Sequence, residues 1–409
     1  MATESTDLSV GSPVPARAGD RLPMSALLAL ATAVFITSLT ETLPAGVLPG
    51  MSGSLGVSES LAGQSVTIYA LGTALTAIPL TAFTANWPRK RLLLTAMVVF
   101  SVANTVTAIS SDYLTTMVAR FAAGVAAGLA WALLAGYARR LVPPRLQGKA
   151  VSVAMAGIPV ALSLGVPAGT FLGQALGWRA AFTAMTLLTV VLLGWIAVSV
   201  PGFPGHPAGE RPPMLRALGV PGVTPVLIVT LVFVLAHTIL YAYITTFLAH
   251  LGMAGSADAV LLAFGVASLA SIVATGAWID RKLRVLTVAS VLLVGVAAAV
   301  LATLAASDVL VYTAAVLWGL GWGGVPTLLQ TAVADAGGKA ADAAQAMLVT
   351  LWNVAMAAGG VIGGVLLESL GAGVFPATVG ILLIPVLVIV VGARAHGFPV
   401  RRPAAEPAA

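Results

Sequence analysis

Charge is what this sequence has least of. Lys, Arg, Asp and Glu together make up 8% of its 409 residues, against roughly 25% in ordinary soluble domains. So few charges cannot cover a water-exposed surface, which excludes a soluble globular fold and points to lipid as the main solvent. Cysteine is absent, so there is no disulfide framework, no thiolate metal site and no cysteine nucleophile. The four histidines are scattered. No His-Glu-x-x-His run and no His/acid cluster has metal-ligand spacing, so no metal is expected. A phosphate-binding Gly-x-x-x-x-Gly-Lys-Ser/Thr loop is missing too, which excludes ATP hydrolysis by this chain. Gly319-x-Gly321-x-x-Gly324 matches a dinucleotide fingerprint by letters. It lies inside an apolar run with no preceding strand, and is set aside.

What the chain does have is apolar length. Hydrophobic residues reach 59%, with 43 glycines, a residue that transmembrane helices tolerate and use. A bilayer core of about 30 Å needs roughly 20 apolar residues per helix. That ruler finds twelve segments, near 24–48, 61–83, 92–109, 115–141, 149–172 and 180–200 in the first half. In the second half they lie near 225–248, 258–279, 285–305, 309–334, 343–367 and 374–393. Each must close its own backbone hydrogen bonds in lipid, so each is expected to be helical. The expected architecture is an all-α polytopic membrane protein. It has a disordered tail (1–23), a six-helix bundle (24–200), a linker (201–221), a second six-helix bundle (222–394) and a tail (395–409). Residues 1–23 carry Glu4, Asp7 and Asp20 with no apolar core, unlike a cleavable signal.

The net charge of +6 would suggest nucleic acid in a soluble protein. Here the cations fall in short loops, so the bilayer, not nucleic acid, is the expected partner. With the N-terminus inside, the inner loops and tails collect Arg17, Arg21, Arg89, Lys90, Arg91, Arg139, Arg140, Arg145, Lys149, Arg211, Arg216, Arg281, Lys282, Arg284, Lys339, Arg394, Arg401 and Arg402. The outer loops hold only Arg179. This asymmetry places both termini in the cytoplasm.

The second half repeats the first. A basic loop joins the second and third segments of each: Arg89-Lys90-Arg91, and Asp280-Arg281-Lys282-Leu283-Arg284. With Gly276 the second reads Gly-x-x-x-Asp-Arg-x-x-Arg. The first has Thr81, Ala85, Asn86 and Pro88 at the matching places and lacks the carboxylate. In the fourth segment stands Arg120-x-x-x-Gly124-x-x-x-Gly128. The fifth carries Gly157, Gly165, Val166, Pro167 and Gly169, followed by Gly177-Trp178-Arg179. Together these motifs resemble the major facilitator superfamily over nearly the whole chain between the tails, and within it the drug:proton antiporter branch. The stretch Thr40-Glu41-Thr42-Leu43-Pro44 through Leu61-Ala62-Gly63-Gln64-Ser65 is similar to bacterial exporters of purine nucleosides, sugars and chloramphenicol. The resemblance implies a monomeric inner-membrane transporter of a small organic molecule, driven by the proton gradient without a cofactor. It also implies that the two basic loops act as conformational switches, and that the fifth-segment glycines work at the interface between halves.

The residues support parts of this directly. Gly157, Ala161, Gly165, Gly169 and Gly173 recur every fourth position. They form a small-residue groove that admits another backbone, and Pro167 removes a backbone donor within it. Gly124, Gly128, Ala132 and Gly136 form a second stripe, and Gly359–Gly363 with Gly360–Gly364 a third.

Glu41 and Arg120 stand well inside apolar segments, each at a cost of roughly 2.5–3.5 kcal/mol or more. Glu41 lies about 26 Å from the inner end of its helix, and Arg120 about 8 Å from the outer end of its own, so both fall in the outer half. Burial favours the neutral carboxylic acid, and a guanidinium close by favours the carboxylate. A modest rearrangement between the two could therefore carry a proton, and the blander alternative is a static ion pair.

His237, Tyr241 and Thr245 follow one another at steps of four, as do Trp318, Trp322, Pro326 and Gln330. With Thr37, Trp352 and Asn353 they are candidate cavity-lining residues for a flat organic cargo. Ordinary helix packing is the blander explanation for the tryptophans, and a neutral inter-helix hydrogen bond for His237. An importer or uncoupled facilitator is the alternative function on this fold. A membrane enzyme or sensor is disfavoured, because neither interfacial catalytic groups nor an output domain is present.

Overall fold

The computed structural model describes residues 22–205, 214–305 and 307–399. Most of the two tails and the centre of the linker, with Arg17, Arg21, Arg211, Arg401 and Arg402, lie outside the described residues. Among the described residues there is no strand.

The first half contains α1 (Met24–Gly46), α2 (Glu59–Phe83), α3 (Arg89–Ile109) and α4 (Tyr113–Arg140). Next comes α5, spanning 147–176 in the pieces Gln147–Met155, Gly157–Val160 and Val166–Leu176, and then α6 (Trp178–Ser199). The second half contains α7 (Val223–Ala242), α8 (Ala257–Thr303), α9 (Asp308–Trp322), α10 (Val325–Gly337), α11 (Ala341–Leu370) and α12 (Phe375–Gly392).

Their ends follow local chemistry. Ser58 and Asp112 cap α2 and α4 by accepting from the backbone N–H of Leu61 and Thr115, satisfying donors that a helix start leaves orphaned. Gly177 and Gly371, with φ of +89° and +81°, end α5 and α11 in a conformation open to glycine and costly for other residues. They occupy corresponding places in the two halves, a trace of the repeat. In α5 the residues Ala161–Gly165 form a π-helical turn just ahead of Pro167. The missing Pro167 N–H removes one ladder bond there.

Nine stretches among the described residues are long and apolar enough to cross a membrane. All twelve expected segments are helical, but they divide differently. Two of the nine stretches, 259–303 and 308–370, each hold two expected segments, and α5 is too broken to count. Lys282, with non-helical φ −129° and ψ 28°, kinks α8 at the expected loop.

The buried residues sort by half. One cluster gathers side chains from 217–398, and two others draw on 26–200. Outward faces are apolar as well, with Val198 88% and Phe83 75% exposed. Apolar side chains facing outward suit lipid, not water.

Glycines set how close the helices come. A Cβ at Gly157 would collide with the Ala31 carbonyl oxygen, and Cβ atoms at Gly169 and Gly173 would meet Leu43 and Val47. The α5 groove therefore seats α1 of its own half. The face of the groove is thus filled by α1 rather than by a helix of the second half. α5 nevertheless runs beside the second half: residues 147–165 lie along α8, including at Ser152, where Gly276 lets α8 approach. In the same way Gly124 and Gly128 admit the α2 backbone at Tyr69 and Thr73, and Gly359 and Gly363 admit Thr238 and Tyr243.

Candidate functional site

Three groups of polar and aromatic side chains break the apolar interior, and two lie in the helical bodies. Arg120 on α4 is wholly buried. Its Nε donates to the Ser65 carbonyl oxygen at 3.2 Å. The guanidinium carbon lies 4.8 Å from the Tyr69 ring centre and 5.6 Å from that of Phe182. Aromatic faces partly repay a buried cation for its lost water. Nη1 and Nη2 nevertheless have no hydrogen-bond partner among the described residues, nor has the buried Ser65 hydroxyl. Each such orphan costs about 1–3 kcal/mol, and more when charged.

Glu41, near the far end of α1, is half-buried. Its carboxyl and Arg120 are close enough to interact electrostatically, with Tyr69 beside both. The two form no ion pair among the described residues, so the static pair is not what holds Arg120. The cation is held by Ser65 and two rings instead. Tyr69 also donates its hydroxyl to the Thr37 carbonyl at 3.1 Å, tying α2 to α1 at this level. The Thr37 hydroxyl is buried and donates to the Ala33 carbonyl of its own turn at 2.9 Å. Thr37 thus contributes a backbone anchor rather than a lining hydroxyl.

The second group is an aromatic box on α7, α8, α9 and α11. The imidazole of His237 lies parallel to Trp322, with ring centres 3.5 Å apart and an interplanar angle of 7°. Tyr241 and Phe264 stack near it at 5.3 and 6.1 Å. Trp352 stands 5.8 Å from Trp322, tilted by 39°. The Trp318 indole N–H donates to His237 Nδ1 at 3.1 Å.

Helical spacing therefore brings together His237, Tyr241, Trp318 and Trp322 as expected, with Trp352 beside them. It fails for two others. Gly323 and Gly324 separate α9 from α10, so Gln330 leaves the tryptophan stripe. It is buried against the first half, its Nε2 on Met155 Sδ at 3.1 Å. Likewise α7 ends at Ala242 and Tyr243 is non-helical, so exposed Thr245 falls on the next short helix, away from the box. Asn353 is buried and donates to Val349 in its own helix at 2.9 Å.

The third group closes one end of the bundle, the end bearing the basic loops. Arg89 Nη2 donates to Asp342 Oδ2 at 2.6 Å, Arg140 reaches the same oxygen at 3.5 Å, and Arg139 pairs with Asp335 at 2.7 Å. Each pair crosses between halves. Asp280 accepts from the backbone N–H groups of Gly148 and Lys149 at the start of α5. There a carboxylate meets both orphan donors and the positive end of the helix dipole. The rest of the expected switch residues are not all alike. Lys90 donates to the Ala197 carbonyl at 2.7 Å, Arg91 lies over Trp87, and Arg281 is exposed. Arg284 donates to the carbonyls of Val390, Val391 and Phe398 around the end of α12.

Sequence reasoning missed Tyr69, Ser65, Phe264, Asp335 and Asp342. A signal existed for Asp342: it is a carboxylate at the start of an apolar segment in the half opposite the loop whose own carboxylate is missing. Nothing marked Tyr69 or Phe264 among other aromatics in apolar runs.

A family model described as Major Facilitator Superfamily matches residues 30–344. The purine ribonucleoside efflux pump NepI of Shigella sonnei (strain Ss046) is 31% identical over 352 residues, covering 85% of this chain and 88% of that protein. NepI of Escherichia coli (strain K12) is 31% identical over 351 residues, with coverage of 85% and 88%. Among solved structures, the proton:xylose symporter XylE bound to 6-bromo-6-deoxy-D-glucose superposes with a TM-score of 0.76 at 15% identity, covering 91% of this chain and 95% of that one. FucP in the outward conformation gives 0.70 at 14% identity, covering 91% and 99%. At such identities the structures speak for the fold alone.

Proposed function

This chain belongs to the major facilitator superfamily, and from that premise we propose that it exports a small organic molecule of the purine-nucleoside kind in exchange for protons. The two helical bodies, 24–200 and 222–394, are the moving parts of an alternating-access cycle. The protein works as a monomer in the bacterial inner membrane, with both termini and the basic loops in the cytoplasm, and it uses no cofactor. The cargo class is supported by the 31% identity to purine ribonucleoside efflux pumps. Proton coupling rests on one observation: a wholly buried Arg120 with two unpartnered nitrogens, within electrostatic reach of Glu41.

With the basic end closed by pairs between the halves, we read this geometry as the outward-facing state. In it a protonated Glu41 leaves the guanidinium to Ser65, Tyr69 and Phe182. Deprotonation restores a carboxylate, the strongest acceptor available for Nη1 and Nη2, and draws α1 and α4 together. Ionisable groups inside a membrane are expensive enough that a functional role is the default reading. Exchange follows if proton release and cargo entry share the inward-facing state.

The test is proton movement in proteoliposomes carrying a trapped pH dye, driven by an inosine gradient. The wild-type protein moves protons against inosine. Glu41→Gln, which cannot ionise, gives none. Equal proton flux from both proteins would sink the coupling mechanism, and inosine accumulation in energised cells, reversed by a protonophore, would establish uptake instead of export.

A further inference from the structure

The aromatic box carries more than a general affinity for flat molecules, because its hydrogen bonding fixes one donor. An indole N–H can only donate. Trp318 donates to His237 Nδ1, so Nδ1 carries no proton, and the neutral imidazole holds its hydrogen on Nε2. That nitrogen has no hydrogen-bond partner among the described residues, and it is absent from their fully enclosed unpartnered atoms. The donor is therefore open.

The ring geometry gives it a direction. The imidazole is parallel to the Trp322 indole within 7°, with centres 3.5 Å apart. An acceptor hydrogen-bonded to Nε2 lies in the imidazole plane. A planar ring bearing that acceptor can therefore share the imidazole layer and stack on the Trp322 indole beside it. Trp322 and Trp352 are half-buried, and Tyr241 is 40% exposed, so aromatic surface remains at the rim. The box also abuts the seam between halves: two residues before Trp352, the Thr350 hydroxyl donates to the Ala74 carbonyl of the first half at 3.1 Å.

We infer that the box formed by His237, Trp318, Trp322, Trp352, Tyr241 and Phe264 is the seat of the cargo's heteroaromatic ring, with Trp322 as stacking platform and the His237 Nε2–H as hydrogen-bond donor to a ring acceptor. This deepens the transporter reading above and rests on it. It assigns base recognition to the second half, apart from the Glu41–Arg120 site in the first. His237 is a binding residue here. It cannot take up a second proton while Trp318 donates to it, so it stays neutral and relays no proton in this state.

Direct titration of purified full-length protein in detergent micelles tests this with three probes. Inosine has a planar base with acceptors, indole is planar with no ring acceptor, and ribose has no aromatic ring. Inosine binds, indole binds more weakly, and ribose gives no measurable heat. Trp322→Ala weakens inosine and indole alike, roughly tenfold, as expected for loss of base–aromatic stacking. His237→Phe keeps a stacked ring but removes the donor, so it weakens inosine roughly fivefold to tenfold and leaves indole within about twofold. His237→Gln, which restores an N–H near the Nε2 position, recovers inosine binding. If Trp322→Ala fails to fold, Trp322→Leu replaces it, judged by a monodisperse elution peak.

Inosine affinity within about twofold of wild type in both Trp322→Ala and His237→Phe overturns the assignment, as does absence of inosine binding to the wild-type protein. If inosine binds through Trp322 yet proteoliposomes move neither inosine nor protons, the box stands and the exporter reading falls. If inosine moves with proton exchange while both variants bind it normally, the exporter stands and the box falls.

Discussion

Asp342→Asn tests most directly what keeps the basic end shut. In the wild-type protein one carboxylate oxygen accepts from Arg89 at 2.6 Å and lies 3.5 Å from Arg140. The Arg89 side chain is 3% exposed, and its Nε and Nη1 already lack partners among the described residues. Removing one member of a buried pair costs about 3–5 kcal/mol, because the other charge stays desolvated. Asp342 is 14% exposed and asparagine keeps one acceptor oxygen, so about 2 kcal/mol is the working figure. That corresponds to roughly a 30-fold change in the closed-to-open ratio. A basic end open in about one molecule per hundred would then be open in about one in four. The natural sequence has no cysteine, so nitroxides on Pro144→Cys and Lys339→Cys, both exposed and in opposite halves, label the chain uniquely. Pulsed electron resonance on the wild-type background should show one short distance. Asp342→Asn should add a longer population. Asp308→Asn, an exposed acid at the opposite end, should add none. An unchanged distance distribution in Asp342→Asn would refute the reasoning, for the pair would then contribute nothing to closure.

Other consequences follow from the packing and the caps. Gly157→Ala places a Cβ against the Ala31 carbonyl oxygen, a backbone atom that cannot swing aside, and should cost about 1–3 kcal/mol by overpacking, read as a lower melting temperature in detergent. Gly194→Ala meets nothing within 4 Å and should melt at or slightly above the wild-type temperature. Asp112 accepts from the Thr115 backbone N–H at 2.7 Å, which holds its carboxyl below the usual range. A group lowered on folding stabilises fully above its unfolded value and loses that contribution as pH falls through the folded one. The melting difference between wild type and Asp112→Ala should therefore be constant near neutrality and close below about pH 4. A difference that instead grows on acidification would exclude the cap as its cause. Arg284→Ala removes donors to three carbonyls at the end of α12 and should raise amide exchange in residues 389–399 while leaving the label distances unchanged.

How much of this was legible in the chain depends on whether one residue or two carry the signal. Apolar runs of about 20 residues and the bias of cations toward alternate loops need no partner to be read, and the helices fall where those runs lie. Pairs four apart on one unbroken helix, such as His237–Tyr241 and Trp318–Trp322, were readable too. The same rule failed for Gln330 and Thr245, because it assumes a helix that continues. Gly323–Gly324 and Tyr243 end the helices, and each step of four then points elsewhere. The glycine groove of α5 was visible as a groove, but what fills it was not: spacing says that a backbone comes close without saying whose. Arg120 was conspicuous as a cation in an apolar run, while its surroundings, Ser65 and the rings of Tyr69 and Phe182, come from other helices and left no mark in the sequence.

The first basic loop lacks the carboxylate that the second carries, and the structure gives that absence a meaning. On one side of the closed end, Asp280 from the second-half loop meets the amides that begin α5. On the other side the loop offers Arg89, and the carboxylate is Asp342, in the first turn of α11. Both sides thus place a negative charge at the start of a helix, where the dipole favours it. Only the segment that owns the charge differs: the opposite half for α5, α11 itself for the other. With its own acid in place, α11 needs no carboxylate from the first-half loop, and a loop acid beside Asp342 would add like-charge repulsion. A cation at Arg89 is what the geometry then calls for. Opening the end must therefore break two unlike kinds of contact. One is side-chain pairing between charges, Arg89 and Arg140 with Asp342 and Arg139 with Asp335. The other is a carboxylate on backbone amides, which no single first-half side-chain substitution removes. Screening by salt acts on the Arg140–Asp342 side, where Arg140 is 35% exposed, so the two sides need not loosen together as ionic strength rises.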